Sequence, residues 1–195
     1  KSLAILQLLE LVPKSAELGA AQVLAGSLHV NEYDGNRRKR LTAVMQEYLP
    51  KHFFPKITIT GYDASTPSTF KSETYDKVLV DAPCSSDRHV WSNPEELVKW
   101  TFKSTETYGE KQFQLLMAGL EAVKVNGTVV YATCSMSQLE NDKVVERALN
   151  NKRGITVELV KKQFPVGEAT KYGWIMLPDK TAEGWGPLFF AILKR

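Results

Sequence analysis

Lys77-Val78-Leu79-Val80-Asp81-Ala82-Pro83-Cys84 and, further on, Thr128-Val129-Val130-Tyr131-Ala132-Thr133-Cys134-Ser135 are the stretches that decide how this chain folds. Each begins as a short, near-continuous apolar run, the pattern of a strand inside a sheet covered on both faces. Each ends in a cysteine, and the chain has two cysteines in all. The thiols stand 50 residues apart with helical patterns between them, as a right-handed β-α-β crossover between neighbouring parallel strands requires. Both sulfurs are therefore expected to face one crevice outside the carboxyl ends of the strands, where open α/β sheets bind their ligands.

Outward from this pair, strands and helices keep alternating. Residues 24–30 and 56–60 read as strands, separated by a helix with Leu41, Val44, Met45 and Tyr48 on one face. A helix opens near Pro94, with Asn93 as its cap, and a second carries Phe113, Leu116, Met117, Leu120 and Val123 until the turn Asn126-Gly127 ends it. Residues 139–149 form a helix, and 156–160, 174–177 and 188–193 close the chain as strands. At the other end, Ile5, Leu8, Leu9 and Val12 recur at helical spacing. The order predicts a doubly wound, mostly parallel α/β sheet in one domain, residues 1–195.

Composition narrows the functional classes. In 195 residues, 43% apolar and 24% charged, no run approaches the roughly 18 to 20 apolar residues of a membrane span, so no membrane partner is expected. Two cysteines cannot build a disulfide framework or a four-cysteine zinc site, and they point to reduced thiols in an intracellular setting. A net charge of +3 is compatible with nucleic acid and equally with ordinary solubility. Three readings of the cysteines follow. Each thiol is a small core residue, or the pair binds metal, or the pair does chemistry at the strand ends. The metal reading is weak, because His89 is the one imidazole nearby and no C-x-x-C or H-x-x-x-H spacing exists; the missing C-x-x-C also removes a thioredoxin-type couple.

Asp81-Ala82-Pro83-Cys84-Ser85 and Ala132-Thr133-Cys134-Ser135, with Glu140-Asn141 following, resemble the two cysteine motifs of the NSUN/Fmu (RsmB-like) RNA cytosine-5 methyltransferases. The resemblance extends to Asn31-Glu32-Tyr33-Asp34 with Arg37, to Gly61-Tyr62-Asp63-Ala64, and to Leu177-Pro178-Asp179 with Gly184-Trp185-Gly186-Pro187. Enzymes that act on DNA cytosine are less similar, since they use the P-C cysteine as nucleophile. The resemblance implies a Rossmann-like, S-adenosylmethionine-dependent fold, with Cys134 adding to C6 of cytosine and Cys84 helping the product to leave. It implies that Asp81 holds the base, that Glu32 accepts from the cofactor ribose, that Asp63 with Ala64 receives the adenine, and that Arg37 and Asp81 lie near the cofactor.

Lys1 matches the last residue of the family's glycine-rich cofactor loop, and this loop and the strand before it are expected to be missing. That strand would sit mid-sheet, so the 195 residues alone are expected to leave unpaired edges and to bind the cofactor weakly. The target cytidine has to be single-stranded or flipped out. Arg88 and Trp91, in the segment after Cys84, offer a cation and an aromatic for RNA, or belong to a lid or a plain surface loop. Arg38, Lys39 and Arg40 read as a solvated helix face. The Asp-Arg after Cys84 and the Trp-Gly-Pro ending resemble the mitochondrial members that modify tRNA or rRNA, which implies a mitochondrial setting and RNA, with a ribosomal or assembly-factor protein, as partners. The competing class is a catalytically idle RNA-binding assembly factor of the same fold. A nucleotide-dependent oxidoreductase has little support, as no G-x-G-x-x-G occurs.

Overall fold

The computed structural model describes residues 1–10, 26–99, 101–182 and 184–195, which fall into two units, Lys1–Ala64 and Ser65–Arg195. In the first, α1 (Ser2–Glu10) is followed by β1 (Leu28–Asn31), α2 (Gly35–Tyr48), a 3-10 turn (Lys51–Lys56) and β2 (Ile57–Thr60). Asp34 starts α2 by accepting a hydrogen bond from the Arg37 amide at 2.8 Å, the usual work of an N-cap aspartate. β1 and β2 pair in parallel, Leu28 opposite Ile57 and Asn31 opposite Thr60. Their inner faces close on Leu6, Met45 and Phe53. The expected apolar stripe on α2 is narrower than its spacing suggests, for Met45 is buried while Tyr48 is exposed. In α1 the buried residue is Leu6, with Ile5 half-buried; the side chains of Leu8 and Leu9, together with Val12 and residues 24–25 of the first expected strand, lie outside the described residues.

The second unit holds β3 (Tyr75–Asp81), α3 (Asp87–Ser92), α4 (Pro94–Lys99), α5 (Phe102–Ala122), β4 (Val123–Thr133), α6 (Asp142–Leu149), β5 (Glu158–Leu159), β6 (Glu168–Ala169), β7 (Trp174–Met176), a 3-10 turn (Pro178–Lys180) and β8 (Leu188–Lys194). β3 and β4 run parallel, with Val80 opposite Tyr131 and Asp81 opposite Ala132, so the expected crossover is present. The remaining partners, β8, β7 and β6, join antiparallel, and β5 pairs with β8 in the same sense. The α/β class thus holds, with a parallel pair extended by antiparallel C-terminal strands.

Leu116, Met117 and Leu120 of α5 and Val144, Val145 and Ala148 of α6 pack against Val129, Tyr131, Phe189, Ala191 and Leu193 of the sheet. β8 shows the clean alternation of a strand with one covered face. β3 departs from its expected double cover. It is the end strand of the six-stranded sheet, Val78 and Val80 pack toward the core, and Leu79 on the opposite face is 39% exposed. Asn126-Gly127 does not end α5, which stops at Ala122; the pair instead forms an excursion within β4, Asn126 taking a positive φ of 67°. No helix among the described residues is long and apolar enough to cross a membrane.

Gly119 marks where α5 seats on the sheet. A Cβ there would lie 2.9 Å from a Val80 methyl and 3.4 Å from one of Val78. Gly119→Leu is expected to lift the helix and lower stability by about 1–3 kcal/mol, as overpacked cores do; an unchanged urea midpoint would show that the contact is slack.

Candidate active site

The chemistry-bearing residues of the second unit are gathered by the ends of β3 and β4. The ladder between them continues one bond past Asp81, from the Ala82 amide to the Ala132 carbonyl at 3.0 Å, and Pro83, lacking an N–H, cannot extend it. The chain therefore leaves the sheet at Cys84 on one strand and at Cys134 on the next. Their Cα atoms are 6.3 Å apart and the sulfurs meet as a disulfide. The sequence reading expects reduced thiols. Too few cysteines for a framework still suffice for a single bridge once adjacent strand ends bring them within the usual 4.4–6.8 Å reach. Cys84 is 8% exposed and Cys134 is exposed, so the two thiols differ in access. Asp81, at the end of β3, is exposed beside them.

A buried polar network carries both turns. Glu140, fully buried, accepts hydrogen bonds from the Ser85 amide at 3.0 Å, from Gln112 Nε2 at 2.8 Å and from the Ser135 hydroxyl at 3.1 Å. Gln112 Nε2 also donates to the Pro83 carbonyl at 2.8 Å. Asn141 accepts from Thr133 Oγ1 at 2.6 Å and donates to the Ser135 carbonyl at 2.8 Å. Tyr131 donates its hydroxyl to the Glu140 carbonyl. Burial first, and then the nearby Glu140 carboxylate, push that phenol well above its ordinary value, so it stays a neutral donor. Glu140-Asn141, legible in the sequence only as part of a motif, is thus the brace beneath both cysteines. Gln112 had its own sequence signal, a polar side chain on the stripe that continues to Leu116 and Leu120.

The segment after Cys84, for which an RNA contact, a lid or a plain surface loop were the alternatives, folds into a helix. Ser86 turns the chain sharply at a positive φ of 56°, and α3 begins at Asp87. Arg88, expected to meet RNA, donates to the Gly186 carbonyl at 3.0 Å and thereby anchors the Trp-Gly-Pro segment. Trp91 is 74% exposed. Asn93, expected to cap α4, accepts the Glu96 and Leu97 amides on its carbonyl at 3.0 and 3.1 Å, while its side-chain amide donates back to the His89 carbonyl at 2.8 Å. A cavity of about 500 Å³ is lined by Met136, Asn141, Glu146, Lys171 and Phe189 among others, and by neither cysteine.

The first unit holds Lys1, Glu32, Arg37, Asp63 and Ala64. Glu32, following β1, is fixed through Oε1 by the Asp34 amide and by Arg37 Nη2, each at 2.9 Å, and its Oε2 takes no hydrogen bond among the described residues. Asn31 clamps the end of β2, accepting from the Tyr62 amide at 2.8 Å and donating to the Tyr62 carbonyl at 2.9 Å, which sets the backbone entering Asp63. Arg38 is not part of a solvated face. Its guanidinium donates to the carbonyls of Glu32 and Tyr33 and occupies the space a side chain at Gly61 would need. Lys1, exposed, accepts the first backbone bond of α1 from the Ile5 amide at 3.0 Å.

Residues 14–194 match the family model described as 16S rRNA methyltransferase RsmB/F. The chain belongs to the RsmB/F methyltransferase family. It is 36% identical over 184 residues to the 5-cytosine rRNA methyltransferase NSUN4 of Xenopus tropicalis, a match covering 86% of this chain and 45% of that protein. It is 33% identical over 180 residues to the mitochondrial tRNA (cytosine(34)-C(5))-methyltransferase of Danio rerio, covering 87% and 49%. The chain therefore spans about half the length of these relatives. The crystal structure of PH0851 superposes with a TM-score of 0.75 at 26% identity, over 87% of this chain and 37% of that one. S-adenosylmethionine is the cofactor that membership of this methyltransferase family implies. Glu32 fits that group on this structure's own terms, since a braced carboxylate with an open oxygen is what a ribose diol needs.

Glu140→Ala is expected to destabilise the protein by about 3 kcal/mol, because it strands the Ser85 amide and the Gln112 side chain without their shared acceptor. Urea unfolding checks this, and a loss below about 1 kcal/mol would mean that water replaces the carboxylate.

Proposed function

We propose that residues 1–195 are the catalytic core of an enzyme that methylates C5 of a cytidine in tRNA or rRNA, through a covalent bond from Cys134 to C6 of the base. The observation that carries this reading is the convergence of Cys84 and Cys134 at adjacent parallel strand ends, beside an exposed Asp81.

C5 of cytosine is a weak nucleophile. In the reduced enzyme the Cys134 thiolate adds to C6, the C5–C6 π electrons move onto C5, and C5 becomes able to take a methyl group. Asp81 accepts from the exocyclic amine or N3–H and so favours the ring form that Cys134 attacks. Cys84 assists the last step, in which the C5 proton leaves, its bonding pair restores the double bond, and Cys134 is expelled as thiolate. The exposed Cys134 suits the nucleophile that must reach the base, and the buried Cys84 suits the helper. S-adenosylmethionine supplies an electrophilic methyl sulfonium when bound. Glu32, oriented by Arg37, would hold its ribose, and Asp63 with Ala64 its adenine, with Lys1 in the same unit. Arg88 sets α3, and Trp91 offers a stacking face to a flipped or single-stranded nucleotide. Similarity to a relative named mitochondrial supports a mitochondrial setting.

Full-length protein carrying Cys84→Ala, incubated with total RNA under reducing conditions, is expected to accumulate an RNA–protein adduct on a denaturing gel. Cys134→Ala should abolish it. RNA that binds without an adduct would favour the idle assembly-factor reading instead. Separately, Glu32→Ala is expected to weaken S-adenosylmethionine binding at least roughly tenfold in titration calorimetry, by about 1.4 kcal/mol, with the melting temperature unchanged; equal affinity would remove Glu32 from the cofactor site.

A further inference from the structure

Asp87 is a carboxylate to which the sequence reading assigns no role, and the structure gives it several partners. It opens α3, three positions past Cys84, and collects hydrogen bonds from both cysteine turns. Ser85 Oγ donates to Oδ1 at 2.9 Å. Ser135 Oγ donates to Oδ2 at 3.1 Å, and the Met136 amide donates to the same oxygen. Ser85 directly follows Cys84, and Ser135 and Met136 directly follow Cys134. Arg88, the next residue, fastens the same helix to the Gly186 carbonyl, so α3 is held to the T-C turn and to the C-terminal segment at once.

Glu140 braces the same turns from within the core, where its loss costs stability. Asp87 is only half-buried, so its bonds bear on the geometry of the turns more than on the survival of the fold. Its three partners among the described residues, two hydroxyls and an amide, can all donate to it, which suits a group that is acceptor only. We infer that Asp87 is a positioning residue that sets the reach between the Cys84 and Cys134 thiols. This rests on the reading of those thiols as the working pair. Asparagine can replace the carboxylate, turning Nδ2 toward the Ser85 hydroxyl, which can accept, and keeping its oxygen for Ser135 and Met136. Alanine cannot.

The test reads the thiols and not methyl transfer alone. Full-length protein is equilibrated with reduced and oxidised glutathione. Two protein thiols become one disulfide as one glutathione disulfide takes up their two electrons and two protons and leaves as two glutathione molecules. The equilibrium gives the effective concentration of one protein thiol toward the other. Asp87→Ala is expected to lower it at least roughly tenfold, and Asp87→Asn to hold it within about threefold of the parent. In methyl transfer, Asp87→Ala should lower kcat and leave the KM for S-adenosylmethionine in place. An unchanged effective concentration in a cooperatively unfolding Asp87→Ala protein would overturn the inference. Should that variant not fold, Asp87→Asn decides, a near-parental value supporting the tether and a loss of roughly tenfold overturning it. If no RNA adduct forms while Asp87→Ala still lowers the effective concentration, the methyltransferase reading falls and the positioning role stands.

Discussion

Parallel pairing of β3 with β4 is the constraint on which the rest of the second unit depends. Parallel strands need a crossover between them, and α5 supplies it, lying on Val78 and Val80 where Gly119 leaves room. Once the strands are side by side, their carboxyl ends arrive together. Pro83 then ends the ladder on one strand, and the chain turns away just past Thr133 on the other. Two thiols that are distant in sequence become neighbours because of where hydrogen bonding stops.

Neighbouring turns are not yet a site, because turns move. Here they are tied from two sides. Glu140 and Asn141 hold them from the core, and Asp87 holds them from α3. The first unit repeats this design on a smaller scale. Asn31 and Arg38 pin the ends of β1 and β2 through backbone carbonyls and amides, while Glu32 is held through one carboxylate oxygen by the Asp34 amide and Arg37. In the second unit the residues that would do chemistry are outnumbered by residues that hold backbone still.

That division explains what the sequence disclosed. Near-continuous apolar runs revealed β3 and β4, and α5 left a helical period that can be counted. Neither could reveal that β8 and β7 would join antiparallel, because direction is set by the connections and not by the pattern. The cysteines were legible because they are rare and sit at matching strand ends. The roles of Asp87, Ser135, Asn31 and Arg38 were not, for their partners, backbone groups for Asn31 and Arg38 and side chains distant in sequence for Asp87 and Ser135, come within reach only after folding. Arg38 is the clearest case: within a run of four basic residues it looks solvated, yet it fills the space beside Gly61. Asn126-Gly127 misled in the opposite way, a strong turn signal spent on an excursion inside a strand.

Ser135 carries one hydroxyl hydrogen and stands 3.1 Å from each of two carboxylates, Asp87 and Glu140, while its oxygen accepts from the Ser137 amide at 3.0 Å. A single hydrogen can satisfy one of those carboxylates at a time. The T-C turn therefore has two nearly equivalent ways of being bonded, one toward α3 and one toward the core. Such degeneracy lets the backbone beside Cys134 shift between alternatives without any bond being lost from the count. In the proposed reaction, where the Cys134 sulfur first joins a carbon and later parts from it, a seat of this kind would serve, firm in its number of attachments and lenient in which of them it uses.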